Sequence, residues 1–300
     1  MTGDEFSKQV MPEGWVAATP RPSPGELAEA YARLYYQKAD TRESSYEAGY
    51  EADELAHKKL MADLCLHAIR RAARVIPPAT ARFLDVGCGE GFTLAAATDQ
   101  GWLAQGIDFS SYAIGKFHPH LADAVRVGDA FALLQEMDQS KDRFDACVLL
   151  NVLEHVINPA EMLRGLVPCL AEGGVIAITV PNDYSAVQEE LIKLGHIEHE
   201  FWFSPPFHLS YFNLENGPRF VESLGFEVVD IFSGFPIDFF LFHPGANYVR
   251  DKSAGKAVYR ARIAIDLLLA RNGMNAFHQM AQATARCGAG RTFTMIVRPG

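Results

Sequence analysis

Glu154-His155 closes a long apolar run, and His208 lies in an aromatic stretch that runs from His199-Glu200-Phe201-Trp202 to Tyr211-Phe212. An imidazole changes charge near neutral pH, so either ring could take a proton from a hydroxyl and make it a nucleophile. Each could equally be a histidine that only ties down a loop; His196 and His199 are weaker candidates for the same role. Glu154 could orient a ring or a ligand hydroxyl, or cap the helix that follows. Upstream, the residue types point to binding. Phe83-Leu84-Asp85-Val86 is a short apolar segment, Gly87, Gly89 and Gly91 follow it, and Phe92-Thr93-Leu94-Ala95-Ala96-Ala97 reads as a helix. A strand that turns through glycines into a helix lets the backbone approach a ligand and aims free N–H groups at it. Asp108 should end the next strand, where a carboxylate can accept hydrogen bonds from the two hydroxyls of a ribose.

The elements that must position these residues alternate as strand and helix. After Leu103–Ile107 and a short helix over Ser110–Phe117 comes a third strand, Ala124–Gly128, followed by Asp129-Ala130. Phe144–Leu150 is almost unbroken in apolar residues, as a central parallel strand requires, and runs into Asn151. Asn158-Pro159 opens a helix to Leu170, Gly173-Gly174 turn the chain, and Val175–Val180 forms a fifth strand ending at Pro181-Asn182. Five such units argue for a doubly wound α/β sheet, whose ligands sit at the carboxyl ends of the strands. Gly87, Asp108, Asp129, Asn151 and Pro181 all fall there.

The glycine spacing is G-x-G-x-G; the dinucleotide pattern would need a third glycine where Phe92 stands. D-V-G-C-G-E-G with an acid closing the next strand resembles the class I S-adenosylmethionine-dependent methyltransferases. Asn151-Val152-Leu153-Glu154-His155-Val156 resembles the V-L-E-H segment of small-molecule members such as the ubiquinone-biosynthesis O-methyltransferases. His208-Leu209 to Phe212 resembles the H-L-x-x-F element that borders the acceptor pocket in that group.

The resemblance implies a Rossmann-like doubly wound seven-stranded sheet in the order 3-2-1-4-5-7-6, with the last strand antiparallel. It implies S-adenosyl-L-methionine as cofactor, held by Asp85, Gly87, Cys88, Gly89, Gly91, Asp108, Phe109 and Asn151. Asp129 would accept from the adenine amino group and Ala130 would donate from its backbone, although Asp129 also suits a plain helix N-cap. Tyr46, Glu154, Asn182, Trp202 and Tyr211 would face a small-molecule acceptor, with His155 or His208 as base. O-methylation is the leading expectation, with N- or C-methylation as alternatives. An NAD(P)-dependent oxidoreductase and a non-catalytic binding protein of the same fold are further alternatives. Relatives that act on small-RNA 3′ ends bind a divalent ion through E-x-x-E-H and a remote histidine. Asn151 replaces the first glutamate here, which removes an anionic ligand, so no metal is expected.

The boundaries read from the chain are an N-terminal arm and helical lid over 1–78, a cofactor core over 79–232 with an aromatic insertion at 185–211, a helical insertion at 233–291, and a final strand at 292–300. Residues 1–25, rich in proline, read as an extended or poorly ordered arm; Glu26–Lys38 and Glu51–Ile76 read as helices, the second stopped by Pro77-Pro78. Tyr35, Tyr36, Tyr46 and Tyr50 could line a lid. The P-x-P stretch ahead of a tyrosine-rich helix looks like methyltransferases of surface-glycan or secondary-metabolite synthesis, which suggests a sugar-type acceptor. About sixty residues separate the sixth and seventh strands, far more than a hairpin needs. They include Phe235–Phe242 and two helices, Ala254–Ala270 and Asn275–Cys287, and could form a substrate cap, a homodimer face or a flap that buries only itself. Basic residues there, Arg250 to Arg262, could attract a phosphorylated substrate or simply be solvated.

Composition sets wider bounds. In 300 residues, 49% hydrophobic and 21% charged, a net charge of −10 argues against a nucleic-acid binder. Five cysteines without a C-x-x-C pair suit free thiols in a reducing cytoplasm, and no apolar run is long enough to span a membrane.

Overall fold

A computed structural model of the chain describes residues 5–27, 49–73 and 80–300. Tyr35, Tyr36, Tyr46, the Pro77-Pro78 stop and nearly all of the Glu26–Lys38 helix lie outside them. The centre is a seven-stranded sheet of β3 (Arg82–Val86), β4 (Leu103–Asp108), β5 (Val125–Val127), β6 (Phe144–Leu150), β7 (Leu170–Pro181), β9 (Phe226–Ser233) and β10 (Thr292–Pro299). Its spatial order is β5-β4-β3-β6-β7-β10-β9, which is the expected 3-2-1-4-5-7-6, and β10 runs antiparallel to both neighbours. The central strands are apolar on both faces because helices cover both. Phe83, Leu84, Cys147, Val148, Leu149 and Ile176 are fully buried.

Helix α1 (Ala52–Ala73) lies on one face beside α2 (Phe92–Asp99), with α3 (Tyr112–Phe117) after β4. On the other face, α4 (Ala130–Gln139) and α5 (Pro159–Leu166) bury Leu133, Leu134, Met137, Met162 and Leu163 against the strands. The expected helix to Leu170 ends early. Pro168 falls in a short 3₁₀ turn, and Leu170 already pairs with Phe144 in β7. The Gly173-Gly174 step is therefore an irregularity within a strand rather than a turn before one, and the register shifts between Phe144 and Ala146 opposite it.

Of the two readings of the N-terminal segment, extended or poorly ordered, the structure shows the extended one, paired into a sheet. β1 (Ser7–Val10) and β2 (Val16–Thr19) form an antiparallel hairpin, and β2 pairs with β8 (Ser210–Tyr211). Burial supplies the reason, which a proline count does not reveal. Trp15 stacks on Phe212 at 5.2 Å and meets the edge of Phe220 at 5.5 Å. Arg21 then donates to the Leu209 carbonyl at 2.8 Å and to Ser210 Oγ at 2.9 Å. The hairpin thus holds the segment that carries His208.

The aromatic insertion contains α6 (Ala186–Lys193), capped by Ser185 and Gln188. After α7 (Asn216–Ser223), the insertion between β9 and β10 divides. Residues 235–249 pack against the Trp202–Tyr211 cluster, whereas α8 (Gly255–Ala270) and α9 (Met274–Arg286) lie along α1 and β9. All five cysteines are free thiols, and only Cys287 is exposed. No helix among the described residues is long and apolar enough to cross a membrane.

Candidate active site

The loop after β3 is tied to β4. Gly87 N and Cys88 N both donate to the Ile107 carbonyl, at 2.7 and 3.1 Å. Gly89 N donates to Asp108 Oδ2 at 2.8 Å, and Ser110 N donates to Oδ1 at 3.0 Å. The carboxylate is therefore fixed at the strand end before any ligand arrives, with lone pairs left over for a diol. Gly87 has φ +74°, and a Cβ there would lie 2.5 Å from Val152 Cγ2. The cofactor-side loop and the 151–155 segment consequently touch with no room between them. A Cβ on Gly89 would meet nothing nearer than a carbonyl oxygen at 4.0 Å, so this glycine faces open space. The first N–H groups of α2 begin one residue beyond the loop.

Asp85 lies buried beneath the loop; burial, then the nearby Asp108 charge, raise its carboxyl to about 7. The Cys88 thiol is buried and pushed far up by the same burial, so it is a packing group. Phe109 is 72% exposed beside Asp108. Asp129 caps α4 by accepting from Ala132 N at 3.0 Å, and Ala130 follows it. Asn151 adopts φ +57°, a left-handed turn that asparagine tolerates, and donates its backbone N–H to Thr179 at 2.9 Å. All these residues border the carboxyl edge of the sheet, where strand and helix alternation puts them.

Across the Gly87–Val152 contact lie the two histidines. His155 Nδ1 is 2.7 Å from the Phe207 carbonyl. A carbonyl can only accept, so Nδ1 carries the proton and Nε2 is the basic nitrogen. The His155 and His208 rings meet edge to face at 4.8 Å. Burial drives His208 down to about 3, with the nearby His155 and Arg291 adding to the effect. Glu154 is fully buried and pushed up to about 8, first by burial; Asp183 adds to the rise, and a backbone hydrogen bond and Arg291 oppose it. Its Oε1 is 3.8 Å from His155 Nε2. Glu154, His155 and His208 offer ligand atoms within 4.8 Å of one another, so they could hold a cation as well as move a proton.

Asp183 and Arg291 complete this side, and no sequence pattern marked either. Arg291 Nη1 donates to Asp183 Oδ1 at 2.7 Å, and its Nε is 3.9 Å from Asp238 Oδ2. Burial would lower the guanidinium, but the two aspartates outweigh it and hold it charged. Glu154 Oε2, Asp183 Oδ2 and His208 Nδ1 have no hydrogen-bond partner among the described residues. Buried polar atoms in that state are costly unless a ligand or water meets them. Asn182 sits beside Asp183 but commits its amide to the carbonyls of Gly288 and Gly290 and to Leu214 N. Tyr211 donates to the His208 carbonyl at 2.7 Å and accepts from Ser204 N at 3.1 Å. Trp202 packs edge-on against Tyr184 and Phe201. These three therefore shape the wall, and Tyr46 lies outside the described residues.

Comparison with known proteins agrees with this geometry. The model of a family described as "Methyltransferase domain" matches residues 57–231. A ubiquinone biosynthesis O-methyltransferase of Dechloromonas aromatica is 31% identical over 103 residues, covering 34% of this chain and 44% of that protein. One from Idiomarina loihiensis is 28% identical over 126 residues, covering 41% and 51%. The chain thus spans about half the length, or less, of these curated relatives. Among solved structures, the plantazolicin methyltransferase BamL in complex with a triazolic desmethylPZN analog and SAH superposes with a TM-score of 0.50 at 12% identity, covering 90% of this chain and 94% of that one. That likeness is one of fold.

Proposed function

The chain belongs to the methyltransferase-domain family of class I S-adenosylmethionine-dependent enzymes, and from that premise we propose that it methylates a hydroxyl of a small molecule with His155 as general base. Bound S-adenosylmethionine supplies an activated methyl group. Asp108, preset by Gly89 N and Ser110 N, suits the ribose diol, and the open face of Gly89 suits close approach of the backbone. Asp129 and Ala130 suit the adenine edge.

A neutral hydroxyl is a weak nucleophile, so the chain must take its proton as the new bond forms. The observation that carries the reading is the hydrogen bond from His155 Nδ1 to the Phe207 carbonyl. It fixes the tautomer and makes Nε2 the nitrogen with the basic lone pair. His208, held near 3, stays neutral at physiological pH and is a poor base; it packs against His155 and sets the ring's tilt. Glu154, held near 8, stays protonated, so no buried carboxylate draws the proton away from the imidazole. Trp202, Tyr184 and Phe203 pack in one apolar cluster with Tyr211, whose hydroxyl donates to the His208 carbonyl. The curated relatives are ubiquinone biosynthesis O-methyltransferases, which supports oxygen as the acceptor.

A second reading has support in the same triad, with Glu154, His155 and His208 as ligands of a divalent ion. A site with a single carboxylate, and that one protonated at neutral pH, must lose a proton before it binds a hard cation. Proton transfer is therefore the stronger reading. His155→Ala tests it: kcat should fall by about 10²-fold with affinity for S-adenosylhomocysteine within twofold of wild type, and His208→Phe should cost less. Unchanged turnover in His155→Ala would remove the base.

A further inference from the structure

The two helices of the late insertion lie behind the cofactor loop, on the outer side of α1. His57 and Lys58 are neighbours on α1 and point about 100° apart around it. His57 Nε2 is 2.8 Å from Asp266 Oδ2 of α8, and both side chains are buried. Lys58 Nζ is 2.6 Å from Glu90 Oε2 and lies 4.2 Å from the centre of the Tyr50 ring and 4.9 Å from that of Phe92. Tyr50 OH also donates to Glu90, and His118 Nδ1 is 2.7 Å from the Glu90 carbonyl. Glu90 is the residue between Gly89, whose N–H fixes Asp108, and Gly91.

We infer that α8 clamps the cofactor loop through α1, with His57 and Asp266 as positioning residues and Lys58 as the contact that passes their effect to Glu90. Sliding α1 along α8 would strand the buried His57 imidazole and leave Asp266 only Arg262 of its own helix, whose Nε lies 3.8 Å from the same Oδ2, so the pair resists that movement. Arg260 of α8 pairs with Glu51 just ahead of α1, a second tie at the same end. The position of α1 sets where Lys58 holds Glu90, and Glu90 sets the loop whose amides orient the Asp108 carboxylate. This role differs from the cap, dimer face and self-burying flap read from the sequence: α8 organises the cofactor side from behind. The inference rests on the cofactor reading above.

The test is calorimetric binding of S-adenosylhomocysteine to the full chain, with Tm recorded in parallel. Asp266→Asn and Lys58→Met should each weaken binding about tenfold, and the double variant should be no more than about twofold worse than the poorer single, because both act through one path. Asn275→Ala, which removes an exposed contact between α9 and Arg71, should bind like wild type. A general loss of packing would lower Tm without this non-additivity. His57→Gln serves where Asp266→Asn does not fold, with the same pattern expected. Unchanged affinity in the single variants, or a multiplicative double variant near a hundredfold, overturns the clamp alone. No binding by wild type overturns the cofactor reading and the clamp with it.

Discussion

Gly87→Ala is the perturbation that joins the two halves of the site. The backbone there has φ +74°, which costs an L-residue roughly 1–2 kcal/mol. The added methyl would lie 2.5 Å from Val152 Cγ2, about an ångström closer than ordinary contact. Val152 is β-branched and stiff at χ1, and it packs against the central core, so rotation gives little relief. Overpacking of this kind costs about 1–3 kcal/mol, and the sum is about 2–5 kcal/mol. The chain can absorb the overlap only by moving the loop or the 151–155 segment. The first shifts Gly89 N from Asp108, and the second displaces His155. Thermal melts and calorimetry with S-adenosylhomocysteine read both effects: a lower Tm and a Kd raised at least tenfold. Gly87→Ala/Val152→Ala removes the overlap and should regain the packing share while leaving the backbone share of about 1–2 kcal/mol. If Gly87→Ala melts and binds as wild type, or the second substitution restores nothing, the contact does not constrain the site as argued.

Asp85, raised to about 7 from 3.8 by burial and then by Asp108, binds more protons folded than unfolded between those values. Its contribution to stability is thus present at low pH and lost as pH rises to about 7, so Asp85→Asn should gain on wild type between pH 5 and 8 by about 1–4 kcal/mol in urea titrations; parallel curves would show that Asp85 ionises freely. Chelator-treated protein should keep its turnover, because the His155 reading needs no ion; a tenfold loss restored by one divalent metal would transfer the role to the Glu154–His155–His208 ligand set. Trp15→Ala, which empties a buried aromatic site against Phe212 and Phe220, should cost about 3–5 kcal/mol by chemical denaturation and loosen the segment that bears His208. A loss below about 1 kcal/mol would show that the hairpin does not anchor that segment.

Several parts of the protein were legible from the chain alone because their physics is local. The doubly wound sheet follows from apolar strands separated by helix-length segments, with its strand order implied by the resemblance, and the cofactor loop follows from closely spaced glycines between a strand and a helix; that Gly87 meets Val152 came only with the structure. Asp108 and Asp129 stand one strand end apart for the same reason, since side chains at the carboxyl edge of a parallel sheet share one rim. The choice between His155 and His208 was different. Both occur in plausible motifs; burial, which drives His208 to about 3, and the Phe207 carbonyl, which fixes the His155 tautomer, are what favour His155 in the proposed role. Asp183 and Arg291 are 108 residues apart and pair only because β10 returns beside β7. The prolines of the N-terminal segment left open an extended or a poorly ordered arm, and a buried Trp15 with two hydrogen bonds from Arg21 makes it an extended strand partner. Local sequence settled which residues sit at the ends of strands. Long-range packing alone decided which of them lose water, and with it their ordinary proton affinity.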